Sequence, residues 1–280
     1  MSGDDTLTLT PRACMAELLC ETPVALAADI RDAIVADLRE SLGAITVMRY
    51  DDDTLHLALE EYPVEYQGGK SAPAQVLVLR ADSKDQNKAR EALEASLGQT
   101  WNWPEARQAA ENAPHALLVM EFMSTGLDPH RRMDVFPKIL YAAVSHIPCA
   151  ALHFPTSQCL VDPKDFLANT PGEKDSFPLL GLVNVRLFSV QGKEGEIVMD
   201  SLGLHVFGLP DVQCHTAEQD EDVLGNWLFS LARYVASTDR EIENGDTIDG
   251  PGEKRMDMVY EESLVEPRRV VLDLQPVQED

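Results

Sequence analysis

Residues 44–59 read Ala44-Ile-Thr-Val-Met-Arg-Tyr50, Asp51-Asp-Asp53 and Thr54-Leu-His-Leu-Ala-Leu59, and they carry the clearest fold signal in the chain. The first segment is apolar and partly β-branched, the three aspartates suit a polar turn, and the last segment alternates leucine with other residues. A period of two places one side of a strand on a buried surface. The stretch therefore predicts a β-hairpin with one buried face.

Helical patterns lie on both sides of this hairpin. Before it, Leu26, Ile30, Ile34 and Leu38 recur at intervals of four, and Gly43 ends the pattern. Further helices are predicted within 84–97, 136–147 and 217–236. Strands are predicted within 14–21, 75–80, 116–123, 149–154, 179–190, 201–207 and 212–216, and a loop over 62–73. This mixture predicts an α+β fold with mixed, mainly antiparallel sheets packed with helices.

The order of these elements allows two arrangements, namely two related α+β lobes or a single mixed sheet. We predict an N-terminal lobe over 1–125, a C-terminal lobe over 126–240, and an acidic, loop-rich tail with one edge strand over 241–280. The last helix of the second lobe is expected to bury Val223, Trp227, Leu231 and Val235.

The charge of the chain is unusual. Asp and Glu number 48 against 23 Lys and Arg, which gives a net charge of −25. Nucleic acid and anionic membranes are poor partners for such a surface, because phosphate binding depends on clustered Lys and Arg. A basic protein partner suits it better.

Compartment signals indicate a cytoplasmic protein. The N-terminal residues lack the basic and apolar regions of a secretory signal. The most apolar stretch, 139–154, is interrupted by Ser145, His146 and Pro148, and it falls short of the roughly 20 apolar residues that span a bilayer. The 5 cysteines are an odd number without a C-x-x-C pair, which favours reduced thiols.

Nucleotide and hydrolase motifs are not found. Gly69-Lys70-Ser71 ends like a phosphate-binding loop, but Val64 stands where the first glycine is needed and Pro73 follows where a helix should begin. The patterns G-x-G-x-x-G, H-E-x-x-H and G-x-S-x-G are also missing. We therefore predict no cofactor.

Four metal-binding side chains lie close together in sequence, at His146, Cys149, His153 and Cys159. If 149–154 is a strand, Cys149 and His153 lie about 13 Å apart, too far to share one zinc ion. Packed, reduced side chains are the preferred interpretation, and no metal is predicted. A metal site that includes Cys214 and His215, or a reactive thiol, stays open as an alternative.

Runs of carboxylates stand at predicted turns and helix starts, where solvated charge explains them without any function. Acid–base chemistry or binding of hard cations is a second interpretation, and a partner-binding acidic surface is a third. For the third interpretation the predicted partner-binding residues are Asp51, Asp52, Asp53, Glu60, Glu61, Asp220, Glu221 and Asp222.

One block of sequence resembles a known family. It reads Met199-Asp-Ser-Leu-Gly-Leu-His-Val-Phe-Gly-Leu-Pro-Asp-Val-Gln213, follows Val185-Arg-Leu-Phe188, and is similar to the C-terminal signature of a bacterial domain family of unknown function. Cys159-Leu-Val-Asp-Pro-Lys-Asp-Phe166, Trp101-Asn-Trp-Pro104 and 116–123 look like earlier blocks of that family, so the resemblance covers roughly 13–240. Within the signature, Gly203 and Gly208 suit positive φ or close backbone approach, and Pro210-Asp211 suits a turn.

The resemblance implies an immunity protein, because members of that family look like companions of secreted bacterial toxins in some gene neighbourhoods. It supplies no catalytic residues. A cytoplasmic inhibitor of a toxin, delivered for example by a type VI apparatus, is the first hypothesis, and a nuclease with a basic cleft fits the acidic charge. An enzyme that uses His153, Cys159 or His215 with a carboxylate between the lobes is the second hypothesis. An adaptor or chaperone for effector secretion is the third.

Overall fold

The structure is a computed structural model that describes residues 8–66, 68–81, 86–169, 179–217 and 220–277. The chain divides into two compact units. The central unit is Ala13–Leu182, and the terminal unit combines Met1–Arg12 with Val183–Asp280. Each unit contains helices and a mostly antiparallel sheet, which confirms the predicted α+β class.

The central unit is built on one antiparallel sheet with the strand order β2-β3-β4-β5-β1-β6-β7. Helices α1 and α4 pack against each other and contact the sheet, whereas α2 and α3 lie near β6 and β7. Its elements are β1 (Met15–Cys20), α1 (Ala28–Leu42), β2 (Ile45–Asp51), β3 (Thr54–Tyr66), β4 (Lys70–Arg80), α2 (Gln86–Gly98), α3 (Ala106–Glu111), β5 (His115–Phe122), α4 (Pro129–His146), β6 (Ala151–Phe154), β7 (Cys159–Val161) and α5 (Pro163–Ala168).

The hairpin signal is confirmed, because β2 and β3 pair in antiparallel register from Ile45 opposite Leu59 to Asp51 opposite Thr54. The leucines of β3 are buried, as their alternation predicts. Helix α1 buries Ile34 and Leu38, which belong to the four-residue pattern. The central core therefore follows directly from the apolar periodicity of the sequence.

The terminal unit is built on a second sheet with the order β11-β12-β13-β10-β9-β8, in which β10 and β13 are parallel and the other neighbours antiparallel. Helix α6 packs against β8, β9 and β10. The elements are β8 (Asn184–Ser189), β9 (Ile197–Leu202), β10 (Asp211–Thr216), α6 (Glu221–Ser237), β11 (Asp246–Asp249), β12 (Arg255–Glu262) and β13 (Val270–Pro276), with 3₁₀ turns at Leu204–Phe207 and Pro251–Glu253.

The division of the chain differs from the predicted segments 1–125, 126–240 and 241–280. Strands β6 and β7 continue the sheet of β1 to β5, because β6 pairs with β1, so the central sheet crosses the predicted boundary at 125. The predicted loop-rich tail forms β11, β12 and β13. Strand β13 lies between β12 and β10 rather than at an edge.

Three local predictions also need correction. The loop expected at 62–73 is mostly strand, because β3 continues to Tyr66 and β4 begins at Lys70. The strand expected at 201–207 ends at Leu202, and a 3₁₀ turn follows. Helix α6 buries Leu224, Leu228, Leu231 and Val235, so its buried face starts one residue later than predicted and Val223 is 52% exposed.

Candidate partner-binding surface

The eight predicted partner-binding residues fall into two groups in the structure. Asp51, Asp52, Asp53, Glu60 and Glu61 belong to the central unit, whereas Asp220, Glu221 and Asp222 belong to the terminal unit. The first five lie at the two ends of β2. The three aspartates form its turn into β3, and Glu60 stands opposite Ala44, whose carbonyl accepts a hydrogen bond from the Glu60 N–H at 3.0 Å.

The aspartates of this turn differ in their surroundings. The Arg49 guanidinium donates to Asp51 at 2.8 Å, and this hydrogen bond is the main cause that lowers the pKa of the Asp51 carboxyl. Asp53 forms an ion pair with Arg80 at 2.9 Å. Asp52 is exposed and forms no ion pair with another described residue. Asp52 is therefore the aspartate whose negative charge stays available to a partner.

The glutamates at the opposite end show the same division. Glu61 accepts a hydrogen bond from the Ala44 N–H at 3.2 Å, next to the tight bend at Gly43. Glu60 is exposed and has no ion-pair partner among the described residues. Asp52 follows the last residue of β2 and Glu60 stands opposite Ala44, before its first residue, so the two exposed carboxylates lie beyond opposite ends of a strand roughly 20 Å long.

Strand β2 itself is an edge strand with an unusually apolar surface. Among the described strands, it pairs only with β3. Val47 is 37% exposed, Met48 52% and Tyr50 45%. The β2–β3 register shifts between Val47 and Arg49, and this bulge breaks the regular alternation of buried and exposed side chains. The guanidinium of Arg31 lies 3.9 Å from the centre of the Tyr50 ring.

The three acidic residues of the terminal unit have a local structural explanation. Asp220 is the N-cap of α6, and its carboxylate accepts hydrogen bonds from the backbone N–H groups of Asp222 and Val223, each at 3.1 Å. Glu221 and Asp222 follow in the first turn, where negative charge favours the helix dipole. These residues are exposed, but their positions are those that helix formation alone would select.

The terminal unit also contains a buried network of charges that the sequence patterns did not predict. Asp200 is fully buried and lies between two guanidinium groups, with Arg186 Nη2 at 2.6 Å and Arg269 Nη2 at 2.7 Å. Arg269 also donates to Asp211 at 2.8 Å. The charges of the two carboxylates and the two guanidinium groups cancel, so the network is neutral. Each of these groups is bound to another member of the network.

Asp211 organises the turn that the family resemblance singled out. Its carboxylate accepts hydrogen bonds from the Ser201 hydroxyl at 3.1 Å and the Leu204 N–H at 3.0 Å, and His205 Nδ1 lies 2.8 Å away. Burial would raise the pKa of Asp211, but the charge of Arg269 and the interaction with His205 outweigh burial and hold this pKa at about 2. Asp211 begins β10, where the sequence predicted a turn.

The two glycines of the same block are confirmed in their predicted backbone role. Gly203 has φ 142° and Gly208 has φ 86°, and they flank the 3₁₀ turn on either side. Positive φ is easy for glycine and strained for most other residues. The block from Leu202 to Asp211 is therefore a compact turn built around one buried carboxylate.

The residues 263–269, which connect β12 to β13, are held by the same network. Arg186 Nη1 donates to the Glu266 carbonyl at 3.0 Å, and the Leu264 N–H donates to the Gln213 side chain at 2.8 Å. Gln213 in turn donates to Asp273 at 2.9 Å. The network thus has a clear structural role, because it ties β8, β9, β10 and β13 to this connection.

His153 of the second hypothesis lies in a hydrogen-bonded chain of three side chains. Its Nδ1 is 2.8 Å from Glu17 Oε2, and its Nε2 is 2.9 Å from the Ser96 hydroxyl. The order serine, histidine, carboxylate is that of serine hydrolases. Ser96 is fully buried inside α2, however, and its hydroxyl also donates to the Ala92 carbonyl at 2.9 Å. The hydroxyl is thus closed to a substrate, and the chain fastens α2 to β1 and β6.

Two other members of this group of potential metal ligands, His146 and Cys159, have separate partners. His146 Nε2 lies 2.7 Å from Asp37, and the Cys159 thiol lies 3.5 Å from the Gly181 carbonyl. Cys214 is buried and the adjacent His215 is exposed on β10, where His215 Nε2 lies 3.0 Å from Glu196. Within the described ranges, no three His, Cys, Asp or Glu side chains are grouped so that they could hold a metal ion.

The cysteine thiols are free, but they are poor nucleophiles. Burial raises the pKa of Cys159 to about 12 and that of Cys20 to about 11. Cys20 lines a cleft of about 710 Å³ in the central unit, together with Arg80 and His115. Arg80 is already paired with Asp53, and a thiol with a raised pKa is a poor nucleophile. The cleft therefore does not activate the Cys20 thiol.

Comparisons with known proteins add one finding. Residues 200–275 match a domain of unknown function, DUF4261. No curated protein and no solved structure is significantly similar to the chain. The match contains Asp200, Asp211 and Arg269 of the buried network, and it includes 241–275, which the resemblance was expected to leave out. None of the described helices is long and apolar enough to cross a bilayer.

The sequence contained a signal for the buried network. Asp200 stands directly after Ile197-Val-Met199 and before Leu202, within a strand that is otherwise suited to a core. A charged residue in the middle of an apolar strand is rarely buried without a partner of opposite charge. Its partners Arg186 and Arg269 are distant in sequence, so only the fold could identify them.

Proposed function

We propose that this chain is a non-enzymatic, cytoplasmic immunity protein that binds and neutralises a secreted bacterial toxin with a basic surface. The observation that carries the proposal is the placement of charge around β2. Asp52 is exposed in the turn that follows β2, Glu60 is exposed on β3 beside Ala44, and the exposed apolar side chains of β2 lie between them. Acidic groups around an apolar centre are typical of a surface that binds a cationic protein.

The distribution of basic residues supports the same proposal. Many described Lys and Arg side chains are occupied by carboxylates of the chain itself, as in the pairs Arg49–Asp51, Arg107–Glu94 and Arg240–Asp246. The surplus of acidic groups is therefore not offset locally, and the net charge of −25 attracts cations over long range. The buried network and the His153 chain, being closed, support binding rather than catalysis.

The first experiment is affinity purification of the tagged full chain from its native host at low and high salt, followed by mass spectrometry. We expect one stoichiometric basic protein that is toxic when expressed alone and harmless when the chain is co-expressed. A protein that binds without being toxic would favour the adaptor hypothesis. Absence of any protein partner, together with a retained metal or small molecule, would favour an enzyme.

Charge reversal then tests the surface. The double variant Asp52→Lys/Glu60→Lys should slow association with the identified toxin about tenfold at low salt, because steering depends on these charges. Glu111→Lys/Asp165→Lys is the matched control, since both residues are exposed in the central unit and the net charge changes equally. Equal slowing by both variants would show that only total charge matters and would reject β2 as the binding surface.

A further inference from the structure

We propose that the open edge of β2 binds its partner by strand addition, with an extended cationic segment of the partner protein as the occupant. This inference rests on the proposed function and specifies how the same surface recognises its partner. Extended peptides commonly add to a free sheet edge, where the backbone supplies hydrogen bonds and alternate side chains supply specificity.

The hydrogen-bond pattern identifies which backbone groups of β2 are open. The Glu60 N–H donates to the Ala44 carbonyl, so the backbone of Ala44 faces β3. In an antiparallel strand, the backbone N–H and carbonyl groups of successive residues point alternately towards and away from the neighbouring strand. The backbone of Thr46 therefore faces β3, whereas the backbones of Ile45 and Val47 face outward. The Ile45 carbonyl does accept an outside hydrogen bond, from Arg39 Nη2 at 3.2 Å. The Val47 N–H and carbonyl are therefore placed to pair with an added strand.

The side chains along this edge suit an apolar contact. Val47, Met48 and Tyr50 are exposed large apolar residues, and they lie within four positions of one strand. Sheet edges are ordinarily protected by lysine, proline, a β-bulge or a covering element. In β2 the only cation is Arg49, and Asp51 neutralises it at 2.8 Å. The bulge next to Val47 limits the paired stretch to a short segment.

The charges near the two ends of the strand select the occupant. Asp52 is exposed in the turn after β2, and Glu60 is exposed on β3, next to the start of β2. A second copy of β2 paired antiparallel to the first would bring the acidic end of one copy beside the acidic end of the other, which is unfavourable. A segment that carries Lys or Arg at both ends and an apolar residue between them brings one cation near Asp52, while the carboxylate of Glu60 lies one strand further in, on β3. A cationic partner is therefore favoured over self-association.

The test uses a synthetic heptapeptide in which Lys and Val alternate, with amide NMR shifts of the full chain as the readout. We expect saturable shifts at residues 46–51, at least tenfold weaker binding of a Lys-Gly heptapeptide, and no binding of a Glu-Val heptapeptide. Shifts outside β2, or equal binding of the Lys-Val and Lys-Gly peptides, would overturn strand addition, because charge alone would then explain the contact.

Two substitutions at Val47 separate the backbone from the side chain. Val47→Pro removes the outward N–H without removing a bond to β3, and it should weaken binding of the Lys-Val peptide about tenfold or more. Val47→Ala keeps that N–H and should weaken binding no more than about threefold. Unchanged amide shifts away from β2 verify that Val47→Pro is folded. Equal affinities of the two variants would overturn the proposal.

The failure of this inference is distinguishable from failure of the proposed function. If Val47→Pro still neutralises the toxin and binds it as tightly as the unaltered chain, strand addition is wrong and the immunity function stands. If sedimentation shows a dimer that Val47→Pro dissociates, the edge is occupied by a second copy and the cationic segment is rejected. If no toxin exists, the proposed function itself fails.

Discussion

Strands β9 and β2 have similar shares of apolar residues, four of six and four of seven, but they differ in burial. Strand β9 contains Asp200 and Ser201 and is buried along its whole length. Strand β2 contains Arg49 and Asp51, and only its first residue, Ile45, is fully buried. Strand β9 is internal, between β10 and β8, whereas β2 is at the edge of its sheet.

Because the two strands are similarly apolar, the difference in burial reflects their positions in the fold rather than their composition. Strand β9 is paired along both edges and buried along its whole length, so its polar residues need partners inside the protein. Asp200 has such partners in Arg186 and Arg269. An edge strand keeps water on one side, so Met48 remains exposed at a modest cost and stays available for binding.

The largest expected effect on stability comes from a substitution in the buried charge network of β9. Asp200→Ala leaves the guanidinium groups of Arg186 and Arg269 without their shared carboxylate in a water-poor site. We expect the free energy of unfolding, measured by urea denaturation, to fall by about 3–5 kcal/mol. Asp52→Ala is the exposed control and should change it by less than about 0.5 kcal/mol. Similar losses for both variants would contradict the contrast between the strands.

Acid should weaken the same network. The pKa of Asp211 is lowered from 3.8 to about 2 in the folded chain, so its stabilising effect is complete above about pH 4 and is lost as the pH falls towards 2. The loss amounts to about 2 kcal/mol. Asp211→Asn should remove this part of the pH dependence of unfolding, measured between pH 5 and 2. An unchanged acid profile in that variant would contradict the assignment.

A smaller effect is expected where a neutral polar group is buried. Ser96→Ala removes the hydroxyl that lies 2.9 Å from His153 Nε2 and leaves that ring nitrogen without its partner. Unfolding should become easier by about 1–2 kcal/mol in thermal or urea denaturation. Ser230→Ala, at an exposed position of α6, is a suitable control, because the Ser230 hydroxyl also donates to the carbonyl four residues earlier. Equal effects would show that burial of the histidine is unimportant.

The smallest effect on stability is expected on β2. Met48→Ser should change the free energy of unfolding by less than about 0.5 kcal/mol, since the side chain already contacts water. Val78→Ser on β4 is its buried counterpart, because Val78 is 1% exposed, and it should cost about 2 kcal/mol or more. Partner binding should show the reverse order, with Met48→Ser more harmful. A large loss of stability in Met48→Ser would assign β2 to the core.

Local periodicity made much of the central unit predictable. The alternation in 54–59 and the four-residue spacing in α1 each reflect one element packing on one face, so the sequence alone reveals them. The strands of the tail were harder to predict from the sequence, because β13 pairs in parallel with β10, which lies more than fifty residues earlier. Val212 and Leu272 are one such pair. Parallel pairing between distant segments leaves no signal in nearby residues.

The candidate surface was predictable only in part. Asp52 and Glu60 were identified from runs of acidic residues, and the structure places Asp52 in the turn after β2 and Glu60 on β3, beside Ala44. Met48 and Tyr50 were assigned to the apolar strand of a hairpin, and nothing in their local sequence indicates that this strand lies at the edge. Edge position depends on the order of all strands in the sheet, which short-range patterns do not contain.

The discontinuous terminal unit has a consequence for how the chain is made. Residues before Ala13 belong to it, since the Arg12 N–H donates to the Val206 carbonyl at 2.9 Å, and β13 pairs with β10 from the far end of the sequence. During synthesis the central unit emerges complete from the ribosome, whereas β10 lacks its partner strand β13 until residues 270–276 have been made. A pause in translation during that interval leaves the edge of β10 open to the wrong partners. Synonymous codons that slow this last stretch should therefore reduce the soluble yield.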